Sequence, residues 1–266
     1  MFTLSVYGLL SLGLWMFAIW LLSVWKKDAS LVDRFWGLSF ILLCTVYRVA
    51  SGVHSSRSIV VFGLILIWGL RLSLHIHFRN RKMGEDYRYR AMREEQGKSF
   101  VLWSLFSVFL LQGLIAWVVA APLLWIFSQA DAEWRVCDLL ALLLWVLGFS
   151  WEFVADLQLQ RFKADPSKKG MLLNSGLWQF SRHPNYFGEA VMSWAYFGFA
   201  LSVPGGYLSF YGPLVMTLLL RYVTGVSLLE KNMKKTKPGF QEYLASTPAL
   251  FPDMKRIWQV IKASVL

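Results

Sequence analysis

Residues 137–157 read CDLLALLLWVLGFSWEFVADL, an apolar run that is long enough to cross a bilayer as one helix. Further apolar runs lie at about 4–25, 35–50, 59–78, 101–127, 187–203 and 206–224. Lipid offers no partner for a backbone polar group, so each run is expected to be helical. The sequence therefore predicts an all-α, polytopic membrane bundle of about seven transmembrane helices, in which the second and sixth are the shortest.

The composition and the distribution of charge agree with this prediction. Hydrophobic residues make up 56% of the 266 residues and charged residues only 16%, a balance that favours a membrane protein over a soluble domain. A net charge of +11 is also found in proteins that bind nucleic acid, but here the cations are confined between the apolar runs. Of the 27 Lys and Arg residues, 22 lie on one side of the predicted spans and only Arg57 and Arg135 on the other. The positive-inside rule then predicts an outside N-terminus and a cytoplasmic C-terminus, with no nucleic-acid partner.

The chain is expected to form a single domain over residues 1–266, because no internal repeat or low-complexity linker is present. Its first basic residue, Lys26, follows the first apolar run, so this run is interpreted as a retained span rather than a signal peptide. Val203 to Gly206 predict a tight hairpin between the last two spans, and the polar tail from Lys231 is expected to fold back over the cytoplasmic mouth. With four His and two Cys, no metal site is expected.

Polar side chains recur at helical spacing within four of the predicted spans. An ionisable group is costly in lipid unless it lies inside a bundle or a water-filled cavity. The residues concerned are Glu152, Asp156, Gln160 and Lys163; Trp68, Arg71, His75 and Arg79; Asn185 and Glu189; and Arg221. Together they predict a polar cavity that opens to the cytoplasm. The alternative is that these side chains pair with one another and hold the bundle together.

Residues 176–189, GLWQFSRHPNYFGE, resemble the signature of the steroid 5α-reductase family in its bacterial branch. Other stretches that fit this branch are DRFWG at 33–37, WGLR at 68–71, GEDYRY at 84–89, residues 152–163, 241–243 and 251–252. The likeness covers roughly residues 31–255, after a first span and linker at 1–30. Membrane methyltransferases of the isoprenylcysteine and phospholipid types share a similar Arg-His-Pro-Asn-Tyr element, but its combination with Asp33, Arg71 and Asp156 favours the reductases.

The resemblance implies a seven-helix bundle in a bacterial inner membrane that encloses NADPH and admits a lipophilic, steroid-like substrate from the membrane lipid. It places a set of side chains around the cofactor: Arg71, Arg79, Arg81, Glu85, Asp86, Asp156, Lys163, Arg182, His183, Asn185, Tyr186, Glu189 and Tyr243. The polar stripes add His75 and Arg221 to the candidates. Guanidinium groups suit the phosphates of a dinucleotide, and no glycine-rich nucleotide loop is present to bind them instead.

The implied reaction is the NADPH-dependent reduction of a carbon–carbon double bond conjugated to a ketone, as in conversion of a 3-oxo-4-ene steroid to its 5α-reduced ketone. A hydrogen-bond donor must stabilise the ketone oxygen as charge develops on it. Asp33, beside Trp36, is the first candidate, because desolvation favours a protonated carboxyl that can donate. Trp68 stands where the animal enzymes have a Tyr, and Tyr47 is a candidate substitute.

Two other classes of function compete with this reading. A membrane methyltransferase would use S-adenosylmethionine, which has no phosphates and needs fewer guanidinium groups. A small transporter or receptor would usually show repeated halves and helices broken near the midplane, neither of which is evident in the sequence. The polar groups also gather toward one face instead of forming a path through the bundle.

Overall fold

The structure, a computed structural model, describes residues 1–81, 84–129, 133–223, 226, 230, 233, 234 and 236–265. Over these residues the fold is all-α, and no strand is present. Four helices are long and apolar enough to cross a membrane: Phe2–Lys26, Ser56–Asn80, Tyr87–Val119 and Val136–Ala164. The predicted class, an α-helical membrane protein, is therefore confirmed. The count of seven spans and the orientation of the termini stay predictions.

The chain forms two compact units, Met1–Arg135 with Phe199–Gly212, and Val136–Gly198 with Pro213–Leu266. The helices of the first unit are α1 (Phe2–Lys26), α2 (Leu31–Arg34), α3 (Trp36–Ser51), α4 (Ser56–Asn80), α5 (Tyr87–Gln96), α6 (Phe100–Ser104), α7 (Leu111–Val119) and α8 (Ala121–Ser128). A π-helical turn at Leu105–Leu110 joins α6 to α7. The second predicted span corresponds to α3, which is short at 16 residues.

Helices α3 and α4 cross at two glycines whose backbones touch. A Cβ atom on Gly37 would lie 2.4 Å from the carbonyl oxygen of Gly69, and one on Gly69 would lie 2.7 Å from that of Gly37. Only glycine allows this approach, because side chains would push the two helices apart. The crossing lies just after α2, which also packs against α4. It therefore fixes the position of the α2 residues, including Asp33, relative to α4.

A buried apolar cluster fixes α5 in the same unit. Tyr89 is buried together with Val32 of α2, Phe100 of α6 and Phe109 of the π-helical turn. Met16 of α1 belongs to this cluster and packs into the space left by Gly113 of α7. Packing of these large side chains stabilises the unit through dispersion contacts. Where the side chains would otherwise contact water, the hydrophobic effect adds to this stabilisation. The beginning of α5 is thereby held against α2.

The second unit contains α9 (Val136–Ala164), most of α10 (Pro184–Ala200) and α11 (Tyr211–Leu218), and two helices of the tail, α12 (Phe240–Ser246) and α13 (Met254–Val265). Short 3₁₀ turns at Pro166–Lys168 and Gly176–Gln179 lie between α9 and α10. The sixth predicted span corresponds to α10, which is 17 residues long. A π-helical turn at Leu219–Val223 follows α11.

Helices α9 and α10 also meet at paired glycines. A Cβ atom on Gly188 would lie 2.5 Å from the carbonyl oxygen of Gly148 and 2.8 Å from the Cβ of Glu152. The indole of Trp145 adds a hydrogen bond of 2.8 Å to the hydroxyl of Tyr196 further along the same pair. This close approach turns the polar stripe of α9, which contains Glu152 and Asp156, toward the beginning of α10.

A tight turn at Val203 to Gly206 is confirmed, and its role as the link between the last two spans stays a prediction. Gly205 adopts a left-handed conformation with φ of 73°, and a Cβ on Gly206 would lie 1.8 Å from the carbonyl oxygen of Ala200. Both positions require glycine, the first for its backbone angle and the second for lack of space.

Replacing Gly37 by Ala is expected to lower the stability of the protein by about 1–3 kcal/mol, because the added methyl group forces α3 and α4 apart. Gly63→Ala in α4 is the matched control, since a Cβ there meets nothing within 4 Å. Thermal unfolding of the detergent-purified variants checks this expectation. Equal melting temperatures for the two variants would contradict the described crossing.

Candidate functional site

In the first unit, Asp33 is the centre of a network of hydrogen bonds. Its carboxylate accepts a bond of 2.8 Å from the guanidinium of Arg88 and one of 2.7 Å from the hydroxyl of Tyr89. Gln112 donates to the same hydroxyl at 3.2 Å. These contacts tie the Asp33 carboxylate of α2 to the beginning of α5.

Asp86 begins α5 and shares Arg88 with Asp33. Its carboxylate accepts a bond of 3.0 Å from the backbone N–H of Arg88, as an N-cap, and one of 2.9 Å from the guanidinium of the same residue. Burial alone would raise the pKa of Asp86, but the hydrogen bonds from Arg88 lower it below its ordinary value. Asp86 is therefore ionised at neutral pH and holds Arg88 in place.

Glu85 joins the turn after α1 to α5. It accepts a bond of 2.8 Å from the backbone N–H of Ala29 and pairs with Arg93 at 2.7 Å. Asp28, in the same turn, pairs with Arg34 at 2.8 Å. These contacts give Glu85 and Asp86 a clear structural role, and their predicted role in cofactor binding stays a prediction.

Three aromatic rings line the crossing of α3 and α4. The rings of Trp36 and Phe40 are 5.4 Å apart, and those of Phe40 and Trp68 are also 5.4 Å apart, in edge-to-face contact. Trp68 is 5% exposed, and its indole N–H has no acceptor among the residues that the structure describes. A buried donor without a partner costs about 1–3 kcal/mol and calls for an explanation.

Tyr47 lies far along α3 from these groups. It is 1% exposed, and its hydroxyl would be 2.5 Å from a Cβ placed on Gly8 of α1. The three helical turns between Trp36 and Tyr47 correspond to about 17 Å, so the two cannot contact the same atom of a small substrate. The structure brings Asp33 and Trp36 to one end of α3 and Tyr47 to the other.

The cations of α4 differ in exposure. Arg71 and His75 are half-buried, whereas Arg79 and Arg81 are exposed at the end of the helix. Arg79 donates through Nε to the side chain of Asn80 at 3.0 Å, and the guanidinium of Arg81 lies 5.3 Å from the ring centre of Phe78. Among these four side chains of α4 and its end, those of Arg79 and Arg81 are therefore the more accessible to solvent or to a phosphate.

In the second unit, Arg182 is buried and binds the tail of the chain. Its guanidinium donates to the carboxylate of Glu230 at 2.7 Å and to the backbone carbonyls of Leu244, at 3.2 Å, and Thr247. Its backbone N–H donates to the carbonyl of Pro248 at 2.9 Å. A guanidinium engaged in this way is an anchor for the tail, and its predicted role as a phosphate ligand would require these bonds to break.

His183 shares Glu230 with Arg182. Its Nε2 lies 3.3 Å from the Glu230 carboxylate, and its ring stacks on that of Tyr186 with centres 5.5 Å apart. Burial lowers the pKa of His183 below its ordinary value, against the opposing effect of Glu230. Burial would raise the pKa of Glu230, but hydrogen bonds from His183 and Arg182 lower it to about 2. The three residues therefore form a buried cluster of a cation, an anion and a neutral imidazole.

The tail covers the segment before α10 through further hydrogen bonds. The hydroxyl of Tyr243 donates to the carbonyl of Trp178, and burial raises the pKa of this hydroxyl, so that it keeps its proton. Ser181 donates to the carbonyl of Leu250 at 2.9 Å, and the backbone N–H of Asp253 to that of Phe180 at 2.9 Å. The tail thus folds back onto residues 178–182, and the expectation that this place is the cytoplasmic mouth stays a prediction.

Asn185 and Asp156 meet across α9 and α10, where the amide donates to the carboxylate at 3.2 Å. Glu152 is buried beside them, and Glu189 lies half-buried one turn beyond Asn185. Lys163 is exposed near the end of α9, and Arg221, in the π-helical turn, lies 4.9 Å from the ring centre of Tyr222. The structure brings predicted cofactor residues together in two groups. Arg182, His183 and Tyr186 belong to one, near Tyr243 and Arg221, and Asp156 and Asn185 form the other.

Sequence reasoning missed Glu230, Arg88 and Tyr89. Glu230 is the first acidic residue after Glu189, at the end of a long apolar stretch, and this isolation was a usable signal. Arg88 and Tyr89 stand in a loop that is rich in cations, where no spacing distinguishes a partner of Asp33 from its neighbours.

The chain belongs to the family described as "Protein of unknown function (DUF1295)", whose match covers residues 19–247. This family is related to steroid 5α-reductase-like proteins. The chain is 25% identical over 253 residues to the "Uncharacterized protein C594.04c" of Schizosaccharomyces pombe, covering 86% of this chain and 74% of that protein. Over 65 residues it is 38% identical to the Delta(14)-sterol reductase erg24 of the same yeast, covering 23% of this chain and 15% of the reductase. No solved structure matched the chain.

Arg182→Ala is expected to destabilise the protein by about 3–5 kcal/mol, because it leaves the buried Glu230 without its cation. It should also expose the tail beyond residue 236 to limited proteolysis. Arg161→Ala is the matched control, since Arg161 is exposed near the end of α9. If Arg182→Ala leaves both the melting temperature and the cleavage pattern unchanged, the tail is not anchored as described.

Lowering the pH from about 7.5 to about 5.5 is expected to lower the melting temperature through His183. The pKa of His183 is lower in the folded protein than in the unfolded chain, where it is about 6.5. The neutral ring therefore stabilises the fold fully above about pH 6.5, and this stabilisation is lost as the pH falls from there through the folded pKa. The fall should be smaller in His183→Gln, whose amide can still donate to Glu230. The exposed His54 gives the control: His54→Gln should keep the full fall, and an equal fall in all three proteins would contradict this expectation.

Proposed function

We propose that this protein is a membrane-embedded, NADPH-dependent reductase that acts on a carbon–carbon double bond conjugated to a ketone in a lipophilic, steroid-like substrate. The observation that carries the proposal is the 38% identity over 65 residues to a protein named as a sterol reductase, in a chain with four long apolar helices. The relation of the family to steroid 5α-reductase-like proteins supports it. The membrane spans suit a substrate that dissolves in lipid.

Each unit, taken by itself, carries side chains that suit one chemical group of a dinucleotide. In the first unit, the exposed guanidinium groups of Arg79 and Arg81 suit phosphate oxygens. In the second unit, Asn185 and Glu189 carry the amide and carboxylate that suit the carboxamide of a nicotinamide. Arg182 is a poor candidate because the tail occupies its guanidinium. When bound, NADPH would supply a hydride to the β-carbon of the enone, while the α-carbon receives a proton from solvent.

The role that we assign to Asp33 is to position its neighbours. As an acceptor of bonds from Arg88 and Tyr89 it keeps α2 fixed against α5, so the aromatic groups at the crossing of α3 and α4 keep their places. To bind a ketone oxygen, the Asp33 side chain would have to give up its contacts with Arg88 and Tyr89. This requirement favours another group as the donor.

The indole N–H of Trp68 meets the requirement for a donor to the ketone oxygen. It is always protonated, it is buried, and no acceptor among the described residues occupies it. A donor held in a dry, rigid surrounding stabilises a developing negative charge without reorganising. Trp68 is packed against Phe40 close to Gly69, so its ring is held by the crossing of the two helices. An indole can donate a hydrogen bond but cannot transfer its proton, so the proton on the α-carbon must come from elsewhere.

The direct test uses full-length protein in lipid nanodiscs with NADPH and either a 3-oxo-4-ene steroid or a sterol with a Δ14 double bond. For the steroid, we expect NADPH to be oxidised. Mass spectrometry should show a product that is two hydrogen atoms heavier than the steroid supplied. S-adenosylmethionine replaces NADPH in a parallel arm. Transfer of a methyl group there, with no oxidation of NADPH on any substrate, would establish the methyltransferase alternative and overturn the proposal.

Trp68→Phe is expected to lower turnover by roughly 10²-fold, the usual cost of losing one such donor, while NADPH binding stays unchanged. Trp25→Phe is the matched control, because Trp25 is 73% exposed at the end of α1. Asp33→Asn should reduce both turnover and melting temperature, since it weakens the pair with Arg88. Full turnover in Trp68→Phe would remove the indole from the mechanism.

A further inference from the structure

The tail helix α13 carries most of its large apolar side chains on one face. Met254, Trp258 and Ile261 recur at the spacing of one helical stripe, and they are 68%, 68% and 49% exposed. Phe251, just before the helix, is 63% exposed. A helix of a soluble domain would turn such a stripe inward, because burial of these groups is favourable.

The helix instead attaches to the protein by its polar side. The guanidinium of Arg256 donates to the carbonyl of Gln179 at 3.1 Å, and the backbone N–H of Asp253 donates to that of Phe180 at 2.9 Å. Arg256 is two residues beyond Met254, which places it about 200° further round the helix. The docked face and the apolar face are therefore nearly opposite, and the apolar face points away from the segment that holds the helix.

This attachment lies at the level where α9 leaves the membrane. Residues 177 and 178 are bonded to α9 itself: the backbone N–H of Leu177 donates to Gln158 at 2.9 Å, and the indole of Trp178 to the carbonyl of Ala155 at 3.1 Å. From Val136 to Ala155, α9 rises about 30 Å, the thickness of the hydrocarbon core. Ala155 and Gln158 thus stand near one surface of the bilayer, and α13 is held beside them.

The charges of α13 complement a lipid surface. Lys255 and Lys262 are exposed and lie on the same side of the helix as Trp258, about 60° and 40° further round from it. A helix with an apolar stripe that contains Trp and is flanked by Lys typically lies in the plane of the interface, with its apolar face about 5–10 Å into the headgroup region. Lys residues at that depth attract anionic headgroups.

We infer that α13 is an interfacial helix that binds the bilayer surface next to α9, with Met254 and Trp258 inserted and with Lys255 and Lys262 on anionic headgroups. The inference is independent of the proposed reductase activity. The tail then has two attachments: Arg256 binds the segment before α10, and the apolar face of α13 binds lipid.

The test uses full-length protein with Cys137→Ser, since Cys44 is buried and should not react. An environment-sensitive fluorophore is attached to Met254→Cys in one protein and to Gln259→Cys, on the polar face of the same helix, in the other. Both are reconstituted in nanodiscs of phosphatidylcholine with phosphatidylglycerol. We expect the label at 254 to be quenched several-fold more by spin-labelled lipid than by aqueous iodide, and the label at 259 to show the reverse preference.

Equal access of iodide to both labels would mean that the helix lies in water, and would overturn the inference. Protection of the label at 254 from iodide without quenching by lipid would mean that protein covers this face, through a second copy or another segment, and would also overturn it. Lys255→Glu combined with Lys262→Glu should lower the lipid quenching at 254 several-fold in anionic nanodiscs. No change in that variant would overturn the electrostatic part of the inference.

Discussion

The constraint on which this structure depends is that a polar group removed from water must find its partner within the chain. Lipid offers none, and the penalty for an unpaired charge is several kcal/mol. In the second unit the guanidinium of Arg182 meets this constraint with one carboxylate and two backbone carbonyls. In the first unit the carboxylate of Asp33 meets it with Arg88 and Tyr89. In each unit, a charged group with several partners thus joins segments that lie far apart in the sequence.

Two contacts between glycines help polar groups to reach their partners within the chain. Gly37 with Gly69, and Gly148 with Gly188, bring pairs of helices to backbone contact. Backbones that touch give the side chains beside them little freedom to move. Phe40 and Trp68 are fixed next to the first contact. Asp156 lies about two helical turns from Gly148, Asn185 lies about one turn from Gly188, and the two side chains meet there. The placement of polar groups beside these helices thus depends on the absence of side chains at two helix contacts.

The sequence predicted helices, membrane insertion and several local contacts, because these depend on patterns that one sequence displays. The apolar runs, the hairpin at Gly205 and Gly206 and the stripe that contains Asp156 all follow from periodicity and residue type. The partner of Arg182 could not be predicted in the same way. Phosphate oxygens, a carboxylate and backbone carbonyls all accept hydrogen bonds from a guanidinium, so the residue type is the same for a cofactor site and for an anchor of the tail. Glu230 shows that Arg182 anchors the tail in this structure, but it lies far from Arg182 in the sequence and belongs to no motif.

The engagement of Arg182 by residues 230–248 has a consequence for the order in which this protein is made. A ribosome releases residues 178–183 well before it releases Glu230 and the carbonyls of Leu244 and Thr247, and the growing chain folds as it emerges. During that interval the Arg182 guanidinium has none of these partners. It must remain hydrated until the cluster with Glu230, Leu244 and Thr247 can form. The segment before α10 can therefore reach its final form only after Glu230, Leu244 and Thr247 have been synthesised. A ribosome that stops early leaves a protein whose spans can insert but whose polar cluster stays open to water.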